Sequence, residues 1–371
     1  MDSSSIPGPS ALAPGTRFAG DYQIVRALSK GGQGSVYEAK QLSTGNRRAL
    51  KLLLPELVRD EKLAKRFKKE ARVSAKIESD HVVQVMAAGT DAGTGIPWIA
   101  MELLKGTDLR HWLHKRGAVP WVEIDELFRQ LCHALGAAHA AGIVHRDLKP
   151  EHIFLARARV EGGSFMVKVL GFGIAAWVRD ATDAKAEAYG TPIWMAPELM
   201  TESAEITPAA DVWAIGLIAF RMMTGKHYWR SANGPVAPIK VVREIKEDPL
   251  EPASIRAASY GCEELIVAGF NAWFARCVDR DPSCRYPDAK AAGAALREVF
   301  ERAEDRNQRK LARAEAMQQS RHRSLRFGMI AGTLAGLAVA LAFAISWRCA
   351  PAKTLPATSG ASAAPGPGRA P

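Results

Sequence analysis

The apolar residues change period partway along the chain, and this limits the possible folds more than any other feature. From Tyr22 to Met101 they fall in short runs: YQIVRAL, SVYEAK, RRALKLLL, HVVQVMAAG and PWIAMELL, separated by Gly and polar residues. Runs of that length and make-up predict strands. One interruption, 60–77, spaces Leu63, Phe67 and Ala71 as the face of a helix would. From Thr107 onward long helical patterns take over, including 121–141 and 208–224. A strand-rich part followed by a helix-rich part predicts an α+β arrangement of two lobes. The sequence contains no internal repeat.

Phe327 to Trp347, FGMIAGTLAGLAVALAFAISW, contains no charged residue. As a helix it would be about 31 Å long at roughly 1.5 Å per residue, matching a bilayer's hydrocarbon core. A buried core helix is the alternative, but the flanks count against it. Arg309, Lys310, Arg313, Arg321, Arg323 and Arg326 precede the run, and a Pro/Ala/Gly/Ser tail follows it. Much of the excess positive charge in the formal net +11 lies between Arg302 and Arg326. No stacking aromatics are interleaved there, so a nucleic-acid surface is disfavoured. The position predicts a membrane-flanking segment, with everything upstream in the cytoplasm. Gly328, Gly332, Gly336, Ala340 and Ala344 line one face of the span, where a second copy could approach closely. Ala and Gly are common in such spans, so a homodimer and a monomer both stay open.

The expected organisation is a leader (1–17), a folded domain (18–301), a basic juxtamembrane segment (302–326), one C-terminal transmembrane helix (327–347) and a tail (348–371). The leader has neither a basic nor an apolar region and is not a secretory signal. Five scattered cysteines, without CxxC or zinc spacing, exclude a disulfide framework.

The most specific run is IVHRDLKPEHIF, 143–154. It resembles the catalytic loop of serine/threonine protein kinases. The resemblance covers about Phe18 to Arg302 and implies the two-lobed protein-kinase fold, with ATP as cofactor. Asp147 would orient a substrate hydroxyl and accept its proton, and Lys149 would steady the transferring phosphoryl group. ALSKGGQGSVYEAK resembles the glycine-rich loop, in which Gly31 and Gly34 would let backbone N–H groups approach phosphates. Ser29 takes the place of that motif's first glycine. Val36, Ala49 and Phe154 would enclose the adenine ring. Lys51 would hold the α- and β-phosphates, with Glu70 as its helix partner. Met101 corresponds to the gatekeeper, and Glu102 to Leu104 to the hinge that hydrogen-bonds adenine. Glu198 would pair with Arg285, and Asp211 would hold the catalytic loop's backbone N–H groups. His145 and Phe172 would pack between the lobes. Arg146 would meet a phosphate on the activation segment, with Thr182 as the acceptor and Thr191 as a contact to the catalytic loop.

The pattern breaks at two positions serving one task. The family's Asp-Phe-Gly reads Gly171-Phe172-Gly173, and its catalytic-loop asparagine is His152. In the family those two side chains hold magnesium. Glycine offers no oxygen, and magnesium prefers oxygen to imidazole nitrogen. Losing about 4 kcal/mol of transition-state stabilisation slows a step roughly a thousandfold. The expectation is therefore a membrane-anchored kinase-family signalling protein that binds ATP and transfers phosphate weakly to cytoplasmic protein Ser/Thr, with no metal site of the usual kind. The alternative is a pseudokinase that acts only as a nucleotide-responsive binding module for a regulatory partner.

Overall fold

A computed structural model describes residues 12–31, 34–58, 67, 71–157, 165–172, 192–201, 204–235 and 237–348, with side chains at all of these except 55–56, 320–330 and 346–348. The chain divides into two compact units, one ending at Glu304 and one starting at Asp305.

The first unit opens with β1 (Arg17–Phe18), β2 (Tyr22–Lys30), β3 (Gly34–Gln41) and β4 (Arg47–Leu53), followed by the short helix α1 (Pro55–Val58), β5 (Val85–Thr90) and β6 (Pro97–Glu102). The six strands form one antiparallel sheet in the order β1-β2-β3-β4-β6-β5. Period-two alternation gives the sheet two faces. Tyr37 and Ala39 join Phe18, Tyr22, Ile24, Leu50 and Leu52 in a core on one side. Cross-strand partners share a face, and the register sets Val36 opposite Lys51 opposite Ile99, and Ala49 opposite Met101. Phe67 and 71–74 are helical, and Phe67 and Ala71 pack on Leu53 and Ile99; the helix expected over 60–77 stops by residue 74, and Leu63 lies outside the described residues.

The helical part begins with β7 (Gly106–Asp108) and α2 (Leu109–Arg116). Asp108 caps α2 by accepting the His111 N–H at 2.9 Å. Then come α3 (Trp121–Ala140), β8 (Ile153–Ala156), β9 (Met166–Val169), α4 (Ala209–Thr224), α5 (Pro238–Lys246), α6 (Ala253–Ala258), α7 (Phe270–Cys277) and α8 (Ala289–Arg348). A second, three-stranded sheet runs β7-β8-β9. Helix α4 is apolar all round, and every residue in it except Arg221 is buried, as suits the central helix of a large core. It stops at Gly225, whose φ of 68° is the left-handed conformation that glycine adopts freely at a helix end. The opening turns of α8 belong to this unit: Leu296 and Phe300 are buried, and Phe300 stacks on Trp121 with ring centroids 5.7 Å apart.

The run HVVQVMAAG predicts a strand from residue 81, but β5 starts at Val85. Residues 81–84 bond β9 instead: Val83 N–H donates to the Val169 carbonyl at 3.0 Å, and Val169 N–H to the His81 carbonyl at 2.8 Å.

In the second unit the chain is helical to Arg348, and Leu334, Leu337, Val339, Leu341, Phe343 and Ile345 are all exposed. Among the described residues no helix is long and apolar enough to cross a membrane. The span expected at 327–347 falls partly on side chains outside the described ones, as does Cys349. The leader up to residue 11 and the tail also lie outside the described residues.

Candidate active site

The loop 145–152 is fixed from below by one carboxylate. Asp211, on α4 and almost fully buried, accepts the His145 N–H at 2.7 Å on Oδ2 and the Arg146 N–H at 2.8 Å on Oδ1. His139 of α3 donates from Nε2 to the same Oδ2 at 2.9 Å, while its Nδ1 accepts the Ala289 N–H at 3.2 Å. Burial works against the Asp211 carboxylate, but the His139 hydrogen bond and the other donors outweigh it and keep its pKa below the ordinary value. Arg146 has φ of +67°, a left-handed conformation that a side chain disfavours. The paired amides held by Asp211 sustain it. His145 is fully buried; it donates from Nε2 to the Leu170 carbonyl at 2.8 Å and packs on Phe172 with centroids 4.8 Å apart.

Above this base Lys149 Nζ meets Asp147 Oδ2 at 2.8 Å. His152 donates from Nδ1 to the Asp147 carbonyl at 2.7 Å, and the same nitrogen lies 3.5 Å from Oδ2. Burial pushes the His152 imidazole down to about 3, so it is neutral at physiological pH. Burial opposes ionisation of Asp147, yet the positive charges beside it, His152 when protonated and Lys149, hold its pKa below the usual carboxylate value. With His152 neutral, Lys149 is the cation that matters at pH 7. The loop thus carries an ionised carboxylate beside an ammonium group, the pair needed to receive a proton and steady a phosphoryl group.

Gly171 lies across from His152. Its φ is +81°, and a Cβ built there would stand 3.6 to 3.7 Å from the imidazole. The ring therefore borders, at ordinary van der Waals contact, the place where a side chain at 171 would begin. The donor types at 152 and 171 do not suit magnesium in the family's usual place: position 171 has no side-chain oxygen and position 152 offers a nitrogen.

Val36, Ala49, Lys51 and Met101 share one face of the large sheet. Lys51 reaches over the Phe67 ring at 5.6 Å. Phe154 on β8 lies opposite Asp108 and Lys168 in the small sheet. Glu102 ends β6, and Leu104 follows it in the link to β7. Gly31 and Gly34 flank the tip of the β2–β3 hairpin. The Gly31 N–H is taken by the Gly34 carbonyl at 2.9 Å, closing the hairpin on itself. Gly34 is glycine because of its neighbour: a Cβ there would lie 2.3 Å from the Leu52 carbonyl oxygen of β4. Glu70, Gly173, Thr182 and Thr191 lie outside the described residues.

Glu198 and Arg285 meet as expected in a buried two-pronged pair, at 2.7 and 2.8 Å. Arg285 also donates to the Ala209 and Asp279 carbonyls and stacks on Trp213 at 5.0 Å. Three residues escape sequence reasoning. His139 reads as one more histidine on a helix. Trp229 donates to the Ile193 carbonyl at 2.8 Å, securing the segment before Glu198. Lys168, in MVKV, reads as an outward strand lysine, yet it is largely shielded and meets Glu102 at 2.6 Å.

The profile of the protein kinase domain matches residues 22–290. The chain is 35% identical over 280 residues to the serine/threonine-protein kinase Pkn1 of Myxococcus xanthus, covering 75% of this chain and 38% of that protein. It is 32% identical over 291 residues to pkn3 of the same organism, covering 77% and 51%. It therefore spans about two fifths to one half of the length of these relatives. The crystal structure of the PknI kinase domain of Mycobacterium tuberculosis superposes with a TM-score of 0.59 at 26% identity, over 78% of this chain and all of that one. With the loop, its anchor and the Glu198–Arg285 pair in place, the chain belongs to the serine/threonine protein kinase family.

Proposed function

We propose that the chain binds ATP between its two sheets and transfers phosphate to protein Ser/Thr slowly, because positions 152 and 171 no longer present oxygen. The observation that carries this reading is the neutral imidazole of His152, tied to the Asp147 carbonyl at 2.7 Å and facing a glycine. Asp147 and Lys149 are paired at 2.8 Å, which supports placing the proposed loss at the ion site. Val36, Ala49, Lys51, Met101 and Phe154 would hold the nucleotide, and Asp147 would take the proton of the substrate hydroxyl. Such a site retains charge and backbone donors for phosphate, and these need no divalent ion.

The test is the pair of changes Gly171→Asp and His152→Asn made together. The restored chain is expected to phosphorylate a generic protein substrate with magnesium about a thousandfold faster than the natural one. Equal rates would refute the reading. The alternative, a pseudokinase acting through a partner, is favoured by an intact framework beside a dismantled ion site; no phosphoryl transfer by the natural chain, with ATP binding retained, would select it.

Membrane anchoring belongs to the same proposal. The exposed Leu334, Leu337, Val339, Leu341, Phe343 and Ile345 form an apolar surface suited to lipid. The basic segment before them suits the cytoplasmic side, which would face the folded unit toward cytoplasmic proteins. Gly332 and Gly336 have nothing within 4 Å of a built Cβ, and a second copy of the helix suits that face. Crosslinking in membranes that yields only monomers would remove the dimer.

A further inference from the structure

We propose that Lys168 is a positioning residue for the nucleotide cleft, acting through the side chain of Glu102; the proposal rests on the ATP reading above. Glu102 is the last residue of β6, where the chain leaves the large sheet, and a three-residue link carries it into β7 of the small sheet. Its Oε1 accepts Lys168 Nζ at 2.6 Å and the Gln84 N–H at 3.0 Å, while its own N–H donates to the Gln84 carbonyl at 3.0 Å. The side chains of Lys168 and Glu102 are 11% and 12% exposed, so the pair is largely shielded from water and from salt.

The pair joins the two walls of the cleft. Glu102 neighbours Met101, which shares a face with Ala49, and Lys168 lies directly opposite Phe154 in the β8–β9 register. Residues 81–84 bind β9 on one side and Glu102 on the other. A continuous hydrogen-bonded strip thus runs from the large sheet to the strand that leads into Gly171. Lys168 borders a cavity of about 600 Å³ whose wall is part apolar, with Val82 and Val85, and part polar, with Gln84 and His133; the group its ammonium meets is the Glu102 carboxylate. Freed from Glu102, the ammonium has space there to take up water. The backbone at 102–104 would then lose its fixed distance from Phe154, and the planar base, which needs both walls, would bind less well. The phosphates, held elsewhere, would not.

The experiment uses the full chain and measures the affinity of ATP and of inorganic tripolyphosphate for the natural protein, Lys168→Met, Glu102→Gln and the reversed pair Glu102→Lys with Lys168→Glu. Each single change is expected to weaken ATP about tenfold, to leave tripolyphosphate within about twofold, and to be largely repaired in the reversed pair. Unchanged ATP affinity in the single variants overturns the proposal. So does a parallel loss of both ligands, which would signify general destabilisation. If a single variant fails to fold, the reversed pair decides: ATP affinity within about threefold of the natural chain supports the tie, and a deficit of about tenfold overturns it. A natural chain that binds no ATP overturns the nucleotide reading and this proposal with it, whereas insensitive variants overturn the proposal alone.

Discussion

Two imidazoles are held neutral by the folded unit, and this gives the chain a predictable sensitivity to acid. Burial pushes His152 down to about 3 and His227 to about 4, against 6.5 for a free histidine. Between pH 6.5 and 4 the unfolded chain therefore binds more protons than the folded one, so stability rises with pH and falls on acidification. The two groups contribute about two protons per molecule near pH 5, and His81, also lowered by burial, adds in the same direction. Denaturant titrations between pH 4.5 and 7 should show this slope, and His227→Gln should remove about one proton of it. An unchanged slope in the variant would show that His227 is solvated in the fold. At this scale the sequence is a good guide to residues whose chemistry needs a particular side chain, such as Asp147 or Lys149. It is a poor guide to residues whose reason is a distant neighbour. Gly34 reads as a phosphate-loop glycine, and the sequence bears no sign that the Leu52 carbonyl on the next strand also demands a glycine there. Lys168 and Glu102 are 66 residues apart, and nothing local in MVKV signals that the lysine turns inward.

The catalytic loop is shaped by the elements beneath it. Asp211 collects three donors from the loop and from α3, and through His139 it also touches the start of α8. Asp211→Asn would turn an amide N–H₂ toward N–H donors and remove the charge. Destabilisation of about 2–3 kcal/mol is expected, with faster hydrogen exchange at 145–147 than in the middle of α4. Exchange that rises equally in both would mean that Asp211 supports the core at large and not the loop. Helices with long, consistent patterns were legible to within a residue: 121–141 and 208–224 correspond to α3 and α4. The opening of β5 was not, because residues 81–84 have the composition of a strand but pair with β9 instead of continuing β5. Choice of partner depends on the path of the whole chain, and local propensity does not carry it.

The folded unit closes only after Phe300. A chain ending at Glu304 should melt like the full-length protein, while one ending at residue 295 loses both Leu296 and Phe300 and should be destabilised by about 5–10 kcal/mol. Expressed in cells, the 304-residue form should leave the membrane fraction that retains the full chain; a full chain found in the soluble fraction would end the anchoring proposal. The facing of Gly171 by His152 also makes the two positions depend on each other. On the proposed reading, a carboxylate placed at 171 alone would meet an imidazole where the family has an amide, on a backbone at φ +81° that suits glycine best. An amide placed at 152 alone would face a glycine. Each single change is therefore expected to raise the rate far less than the two together, a synergy that a double-mutant comparison reads directly.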